Sequence, residues 1–210
     1  MKSTIFKESS DNNNQNQNPV FVIKYADYSS KYGLGYKLSN GSFGAFFNDS
    51  TKIILPQNQN KFCYIDKKNE HFFLLEQYPK ENKDLDKRVK LLMNFINYFE
   101  DEKKGENNGV KKDESNCYIY VKIWIKTKSA TTFILNNNTK QIIFKDKTEI
   151  RKKKGEKWIY YVNKEGKIIK YNLEPSLNSN TQVIKRWKYF MEILNHIDRK
   201  TKKKVKKASK

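Results

Sequence analysis

Between residues 122 and 128, every second position carries a lysine or, once, a tryptophan. Cationic side chains bind phosphate well, because a phosphate on a peptide carries roughly −1.5 to −2 charges and strong acceptor oxygens. Alternate residues of a strand share a face, so the segment predicts a basic face and an apolar face. The basic face would carry Lys122, Trp124, Lys126 and Lys128, and the apolar face Ile119, Val121, Ile123 and Ile125. The alternative is a solvated strand face that shields a sheet edge.

Residues that commonly bind metals or carry out catalysis are few. The cysteines, Cys63 and Cys117, do not have the spacing of a zinc site, and His71 and His196 lie far from both. No nucleophile, base and orienting group stand at an informative spacing. The kinase motifs, a G-x-G-x-x-G loop ahead of V-A-I-K, H-R-D and D-F-G, are missing from the sequence. We therefore predict a protein that is not an enzyme, with reduced cysteines, no metal and no cofactor.

The charge balance favours anionic partners. Lys and Arg number 43 against 23 Asp and Glu, which leaves a formal charge of +20. Such a field attracts phosphate groups, nucleic acid, acidic peptides or an anionic membrane surface, without choosing among them. No apolar run approaches the roughly 18 residues of a membrane span, and the N-terminus has no apolar signal-peptide core. The sequence predicts a protein of the cytoplasm or nucleus with no membrane partner.

Polar segments divide the chain into two parts of similar size. Residues 1–18 form a predicted disordered leader that ends in a low-complexity run of Asn and Gln. Residues 101–116 have the charge and glycine content of a linker. Residues 200–210 are a lysine-rich tail, either a solvated chain end or a nuclear-import or phosphate-binding segment. The two remaining parts are residues 19–100 and 117–199.

The two parts repeat each other at an offset of 97 residues. Segment 38–53 aligns with segment 135–150 without a gap, and residues 64–66 align with 161–163. Near the end of each part, apolar residues recur at helical spacing; these stripes match at an offset of 98, as one extra loop residue would produce. The stripes are Val89, Leu92, Phe95, Ile96 and Phe99, and Trp187, Phe190, Ile193, Leu194 and Ile197.

Each part is predicted to contain several antiparallel strands followed by one amphipathic helix. Short β-branched and aromatic runs, broken by turn residues such as those at 39–41, predict the strands. One helix covers one face of a sheet and leaves the other face without a partner. We expect the duplicate to cover it, so that the two sheets pack face to face with a ligand groove between them.

Motifs in both parts carry a family resemblance. Residues 24–38 and 46–55 are similar to the first polo box of a polo-like kinase, and residues 124–130 with 144–148 resemble the second box. The resemblance implies an α+β fold of two polo boxes, each a six-stranded antiparallel sheet followed by one α-helix. It also implies that the two boxes pack as a twelve-stranded sandwich with a ligand cleft between them.

In that family the paired boxes bind a phosphoserine or phosphothreonine peptide and direct a Ser/Thr kinase to its substrates. The resemblance implies a docking and subcellular-targeting module that acts in mitosis. The implied partners are phosphorylated or acidic peptide segments of cell-cycle proteins and the protein's own kinase domain. The implied locations are the centrosome, spindle pole, basal body and kinetochore. The full-length parent would be a Ser/Thr protein kinase, and ATP and Mg²⁺ would belong to its kinase domain.

The resemblance also implies which residues bind the phosphate. The family grips it with a His-x-Lys pair just after the Phe-x-Asp of the second box, a position that matches Lys147 and Glu149. Lys147 keeps a cationic donor, whereas the carboxylate of Glu149 would repel a phosphate. Either Lys126, Lys128 or Lys145 compensates, or the groove accepts an acidic or unphosphorylated peptide.

The implied peptide-binding residues lie in the first box and at the start of the linker. Tyr25 matches an aromatic residue that is commonly Trp in the family, and its ring offers a flat apolar surface with a polar tip. Main-chain groups at Lys103 and Lys104 match the family's linker contacts. The other predicted residues of the peptide site are Ala26, Asp27, Tyr28, Tyr32 and Phe144. For Tyr32, aromatic packing between the sheets is the alternative.

Two further hypotheses come from other functional classes. A scaffold for dimerisation or for centriole and basal-body assembly would form a homodimer, bind unphosphorylated or acidic peptides, and be indifferent to Glu149→Lys. A nucleic-acid-binding protein would use the basic aromatic face at 122–128 and show a steep salt dependence. We do not favour a nucleic-acid partner over a peptide.

Overall fold

The computed structural model describes residues 19–57, 59–67, 69–101, 118–173 and 180–208. The described part of the chain forms two six-stranded sheets, each followed by one helix. The first unit contains β1 (Val22–Tyr28), β2 (Gly33–Leu38), β3 (Phe43–Phe47), β4 (Lys52–Leu55), β5 (Lys61–Ile65), β6 (Glu70–Leu74) and α1 (Lys83–Asp101). The second contains β7 (Val121–Lys126), β8 (Ala130–Leu135), β9 (Lys140–Phe144), β10 (Glu149–Lys152), β11 (Trp158–Val162), β12 (Ile168–Asn172) and α2 (Thr181–Ala208).

The segments predicted to flank the two boxes are only partly described. The leader, and all of the linker after residue 101, lie outside the described residues, so the predictions for them stay predictions. At the other end, α2 does not stop near residue 199 but continues through the lysine run to Ala208. The backbone of most of the predicted tail is therefore helical.

Each sheet is an antiparallel meander in which consecutive strands are neighbours. Strands β2 to β5 begin 97 residues before β8 to β11, and β6 and α1 begin 98 residues before β12 and α2. The additional residue lies between β11 and β12, where the connection spans residues 163–167 instead of 66–69. The repeat and the loop insertion predicted from the sequence are therefore confirmed.

An amphipathic helix covers the outer face of each sheet. In α1 all five residues of the predicted stripe are buried against the first sheet. In α2, Phe190, Leu194 and Ile197 are buried, and Trp187 and Ile193 are partly buried. Full burial of a Leu, Ile or Phe side chain contributes roughly 1.5–3 kcal/mol, so these stripes hold each helix on its sheet.

The inner faces of the two sheets pack against each other, as predicted. One inter-sheet cluster joins β1 and β2 to β7 and β8, and a second joins β4 and β5 to Tyr118 and Tyr120. In the second cluster, burial raises the pKa of Cys63 to about 12, so this thiol stays protonated. The first cluster contains Val20, Val22, Leu34, Tyr36, Leu38, Val121, Phe133 and Leu135.

The prediction of two uniform faces for residues 119–128 is wrong, because β7 contains a bulge. The bulge lies between Val121 and Ile123 and shifts the alternation of side chains by one residue. Val121 and Trp124 consequently pack in the inter-sheet cluster, whereas Ile123 and Ile125 pack under α2. Trp124 is therefore partly buried against the inter-sheet cluster and is not part of a basic aromatic surface. An equivalent bulge interrupts β1.

Candidate peptide-binding groove

Each sheet satisfies the backbone of the other at a bulge. In β1, the amide of Val22 donates to Gln141 Oε1 over 2.8 Å, and Gln141 Nε2 donates to the Val22 carbonyl over 2.9 Å. In β7, the amide of Val121 donates to the hydroxyl of Tyr36 over 3.1 Å. All three hydrogen bonds are buried. Because buried backbone groups without partners are strongly destabilising, these bonds favour one relative position of the two boxes.

The two boxes use different residues for this purpose. Tyr36 lies opposite Gly44 in the first sheet, and at the equivalent positions of the second sheet Phe133 lies opposite Gln141. A Cβ atom on Gly44 would lie 2.3 Å from Cζ of Tyr36, so the glycine leaves the space that the tyrosine ring needs. Burial raises the pKa of Tyr36, so its hydroxyl stays protonated while it accepts the Val121 amide.

Four residues line the seam between β1 of the first box and β7 and β8 of the second: Tyr25, Asp27, Lys126 and Thr131. We call this seam the candidate groove. The Tyr25 hydroxyl donates to Thr131 Oγ1 over 3.1 Å, and its ring stands edge-on to that of Phe133 at 5.2 Å. The Lys126 ammonium donates to Asp27 Oδ2 over 2.5 Å. Two predicted peptide residues and one predicted phosphate ligand therefore meet at the same seam.

Asp27 is held as a carboxylate in the candidate groove. Burial disfavours its charged form, but hydrogen bonds from Lys126 and Ser29 outweigh burial and lower its pKa below the ordinary value of 3.8. The Ser29 bond comes from the backbone amide, over 3.0 Å. The hydrogen bond with Asp27 in turn raises the pKa of Lys126. Both groups are therefore charged at neutral pH.

Four predicted peptide-site residues lie away from the candidate groove. Ala26 and Tyr28 are on the other face of β1, where Ala26 packs in the α1 core and the Tyr28 ring lies 5.8 Å from that of Phe95. Tyr32 borders a surface cavity of about 200 Å³ beside α1 and does not pack between the sheets. Phe144 is buried against α2. Strand alternation separates Ala26, Tyr28 and Phe144 from the inner faces, so these residues do not line the candidate groove.

Exposed lysines gather at one end of the second sheet. The Lys145 amide donates to the Ser129 carbonyl over 3.0 Å, which joins the turn after β9 to the turn after β7. Lys147 lies in the turn after β9, with a left-handed backbone (φ 67°) and an exposed side chain. We call the four exposed lysines on or beside these turns the lysine cluster: Lys126, Lys128, Lys145 and Lys147.

Two carboxylates next to the lysine cluster, Glu149 and Asp146, are paired with arginines. Glu149 Oε2 accepts a hydrogen bond from Arg151 Nε over 2.9 Å, and Arg151 Nη2 lies 2.8 Å from the same oxygen in an ion pair. Asp146 Oδ2 accepts a hydrogen bond from Arg186 of α2, over 2.5 Å. Because each carboxylate has a cationic partner, the net charge around the cluster stays positive. The repulsion expected from Glu149 is therefore offset by Arg151.

Sequence reasoning missed three residues of this region: Arg151, Gln141 and Thr131. Arg151 stands two residues after Glu149, so strand alternation alone could have placed both on one face of β10. Gln141 and Thr131 contact residues of the first box 119 and 106 positions away, a distance at which no spacing in the sequence signals contact. Lys103 and Lys104 lie outside the described residues.

Comparison with known families identifies the two boxes. The family model for the POLO box duplicated region matches residues 30–89 and 127–186, which together make up more than half of the chain. The chain therefore belongs to the polo-box family, and it is a tandem polo-box domain related to the C-terminal regions of polo-like kinases.

Its relatives in sequence are protein kinases. The chain is 43% identical over 152 residues to the probable serine/threonine-protein kinase CCRP1 of Zea mays, a match that covers 69% of this chain and 24% of the relative. It is 40% identical over 131 residues to the serine/threonine-protein kinase plk-1 of Caenorhabditis elegans, covering 60% of this chain and 20% of that protein. The matched region thus spans less than a quarter of the length of these relatives.

The fold is similar to that of the budding yeast Cdc5 polo-box domain, solved in complex with an Spc72 phosphopeptide. The TM-score is 0.69 at 21% identity, over 86% of this chain and 70% of that chain. At this identity the likeness is one of fold, and the predicted fold class is confirmed. In the part of the chain that the structure describes, neither helix has the hydrophobic stretch that spanning a bilayer requires.

Proposed function

We propose that this chain is the phosphopeptide-docking module of a polo-like kinase. The peptide lies in the candidate groove with its backbone beside Tyr25, and its phosphoserine or phosphothreonine reaches the lysine cluster. The observation that carries the proposal is the position of this cluster, which begins with Lys126 in the candidate groove itself. The Cdc5 structure with its Spc72 phosphopeptide supports the same class of ligand.

Lys147 and Lys145 are the phosphate ligands from the turn after β9 in this proposal, and Lys126 is a further ligand from the candidate groove. The Lys147 amide already donates to the Phe144 carbonyl over 3.0 Å, so the ammonium groups rather than the turn backbone provide the donors. Hydrogen bonds between an ammonium and a phosphate are shorter and roughly twice as strong as neutral ones. Glu149 stays with Arg151 and does not contact the phosphate. Lys128 adds to the positive field.

For the full-length protein we propose a Ser/Thr protein kinase that this module directs to phosphorylated cell-cycle proteins. The names and lengths of the relatives support this proposal. ATP and Mg²⁺ would bind in the kinase domain. The proposed locations are centrosomes, spindle poles, basal bodies and kinetochores, within the cytoplasm and nucleus, and its own kinase domain is a further proposed partner.

Titration with a Ser-phosphothreonine peptide library and its unphosphorylated counterpart, followed by fluorescence anisotropy, tests the docking function. We expect phosphorylated peptides to bind more tightly. We expect Lys147→Ala to weaken the binding of phosphorylated peptides by about 1–3 kcal/mol, the range for losing a charged hydrogen-bond partner. If neither library binds, peptide docking is wrong.

The matched control is Lys154→Ala, which removes an exposed lysine from the connection between β10 and β11. Because salt screens distant charges, this variant should change the affinity by less than about twofold. An unchanged affinity in Lys147→Ala would mean that the phosphate binds at another part of the lysine cluster. Equal losses of affinity in both variants would mean that only the net charge of the protein matters.

A self-associating scaffold is the second candidate function, and strand β6 favours it. This strand is an edge of the first sheet and exposes Phe72 by 45% and Leu74 by 37%. An exposed apolar edge can pair with another chain. Sedimentation that detects a homodimer, lost in Phe72→Lys and kept in Glu149→Lys, would support the scaffold. A monomer at high micromolar concentration would exclude it.

A further inference from the structure

The ion pair between Asp27 and Lys126 joins equivalent positions of the two boxes. Asp27 lies opposite Leu34 in the first sheet, and Lys126 lies opposite Thr131 in the second. Leu34 and Thr131 correspond at the 97-residue offset of the strands that carry them. The same strand position therefore carries a carboxylate in one box and an ammonium in the other, and the two groups meet at 2.5 Å in the candidate groove.

Lys126 is the partner that can leave. Its side chain is 60% exposed, whereas that of Asp27 is 15% exposed and also accepts a hydrogen bond from the Ser29 amide over 3.0 Å. An ion pair with an exposed lysine contributes little stability, because water solvates the ammonium well in either state. The flexible lysine stem can therefore turn away while the carboxylate stays in place.

We propose that Asp27 is a built-in competitor for the ligand phosphate, and that Lys126 determines specificity because only a phosphorylated peptide draws it away from Asp27. This inference rests on the proposed function. A phosphate offers roughly −1.5 to −2 charges and three acceptor oxygens, so it attracts the ammonium more strongly than one carboxylate does. A peptide with Asp or Glu at that place offers only what Asp27 already provides. Lys126 then stays on Asp27, and the groove distinguishes a phosphate from an acidic side chain.

A double-mutant cycle tests the competition. Wild type, Asp27→Asn, Lys126→Ala and the double variant are titrated with a Ser-phosphothreonine peptide and with the same peptide carrying Glu in place of the phosphothreonine. We expect Asp27→Asn to tighten phosphopeptide binding by roughly 3- to 10-fold, and Lys126→Ala to weaken it by a similar factor. In the double variant the gain from Asp27→Asn should vanish, because no ammonium remains to be released. Lys126→Ala should leave the affinity for the Glu peptide unchanged in the wild-type background.

Two controls separate the competition from simpler effects. Glu165→Gln removes an exposed negative charge from the connection between β11 and β12 and should not alter phosphopeptide affinity. Asp27→Ser removes the same carboxylate with a different side chain, so its phosphopeptide affinity should match that of Asp27→Asn. Thermal unfolding of each variant checks that it is folded.

The outcomes distinguish the two proposals. If wild type prefers the phosphopeptide but Asp27→Asn binds it no more tightly, the competitor is wrong and the docking function stands. If Asp27→Asn tightens phosphopeptide binding even when Lys126 is absent, the effect is long-range repulsion alone. This result would also contradict the proposal that Asp27 competes for Lys126. If no variant binds the phosphopeptide, both the docking function and the competitor are wrong.

Discussion

The turn between the third and fourth strands has the same backbone in both boxes but different side chains. In the first box it carries Asn48 and Ser50, and in the second it carries Lys145 and Lys147. Ser50 and Lys147 both adopt a left-handed backbone, with φ of 72° and 67°. The positive charge of the second box therefore lies on a turn that the first box forms without it. The framework of this turn is thus common to both boxes, and its lysines are particular to the second box.

The support of this turn is common to both boxes. In the first box, the carboxylate of Asp49 accepts hydrogen bonds from the Thr51 hydroxyl at 2.7 Å and from Arg88 of α1 at 2.6 Å. The equivalent residues of the second box are Asp146, Thr148 and Arg186, with distances of 2.7 and 2.5 Å. We call each of these triads a clamp. Each clamp ties its turn to its own helix, so the turn conformation does not depend on the other box.

The contacts between the boxes are not shared in this way. Gln141 of the second sheet makes two hydrogen bonds at the Val22 bulge, accepting from the amide and donating to the carbonyl, whereas Tyr36 of the first sheet accepts a single bond from the Val121 amide. The boxes are therefore alike where each supports its own turn and different where they hold each other. Three variants test this contrast, and their expected effects on stability decrease from Gln141→Leu to the double variant of the two clamps.

Gln141→Leu should have the largest effect. It leaves the amide and the carbonyl of Val22 buried without a partner, so the free energy of unfolding should fall by about 2–4 kcal/mol. Urea unfolding followed by circular dichroism measures this change. Thr132→Val is the control, because the buried Thr132 hydroxyl has no hydrogen-bond partner among the described residues and its removal should not destabilise the protein. A loss for Gln141→Leu no larger than that of the control would mean that these bonds do not hold the boxes together.

Tyr36→Phe should have an intermediate effect. It removes the acceptor of the Val121 amide and retains the ring, so the expected loss is about 1–2 kcal/mol in the same urea experiment. Tyr98→Phe, on the exposed side of α1, is the matched control and should be neutral. We expect Gln141 of the second sheet to make the stronger contact between the boxes. A larger loss of unfolding free energy for Tyr36→Phe than for Gln141→Leu would contradict this.

Neutralising the two clamps should have the smallest effect and should depend on pH. Burial disfavours the charged forms of Asp49 and Asp146, but hydrogen bonds from Thr51 and Thr148 and from the paired arginines outweigh it and lower both pKa values below 3.8. The unfolded chain therefore takes up these protons at a higher pH than the folded chain. The stabilisation is present above about pH 4 and is lost as the pH falls through the folded pKa values.

The double variant Asp49→Asn/Asp146→Asn tests this pH dependence. It should be less stable than wild type at pH 6, by less than about 1 kcal/mol for each partly exposed clamp, and should lose less stability between pH 6 and pH 3. Urea titrations at the two pH values measure the difference. Equal losses for wild type and the double variant would show that the clamps do not contribute to acid sensitivity.

Local patterns of the sequence determined the architecture of this protein. The 97-residue repeat, the two helical stripes and the loop insertion are all found in the structure, because each depends on spacing along the chain rather than on distant contacts. The position of Lys147 on an exposed turn likewise follows from its place in the second copy.

Tertiary structure alone decided which charges are available in the candidate groove. The bulge in β7 turns Trp124 toward the inter-sheet cluster, and no residue pattern in the strand predicts a bulge. The sequence predicts Lys126 as a phosphate ligand. In the structure it is paired with Asp27, which lies 99 positions earlier in the chain. Such a pairing depends on how two duplicated sheets face each other, which periodicity within either sheet cannot encode.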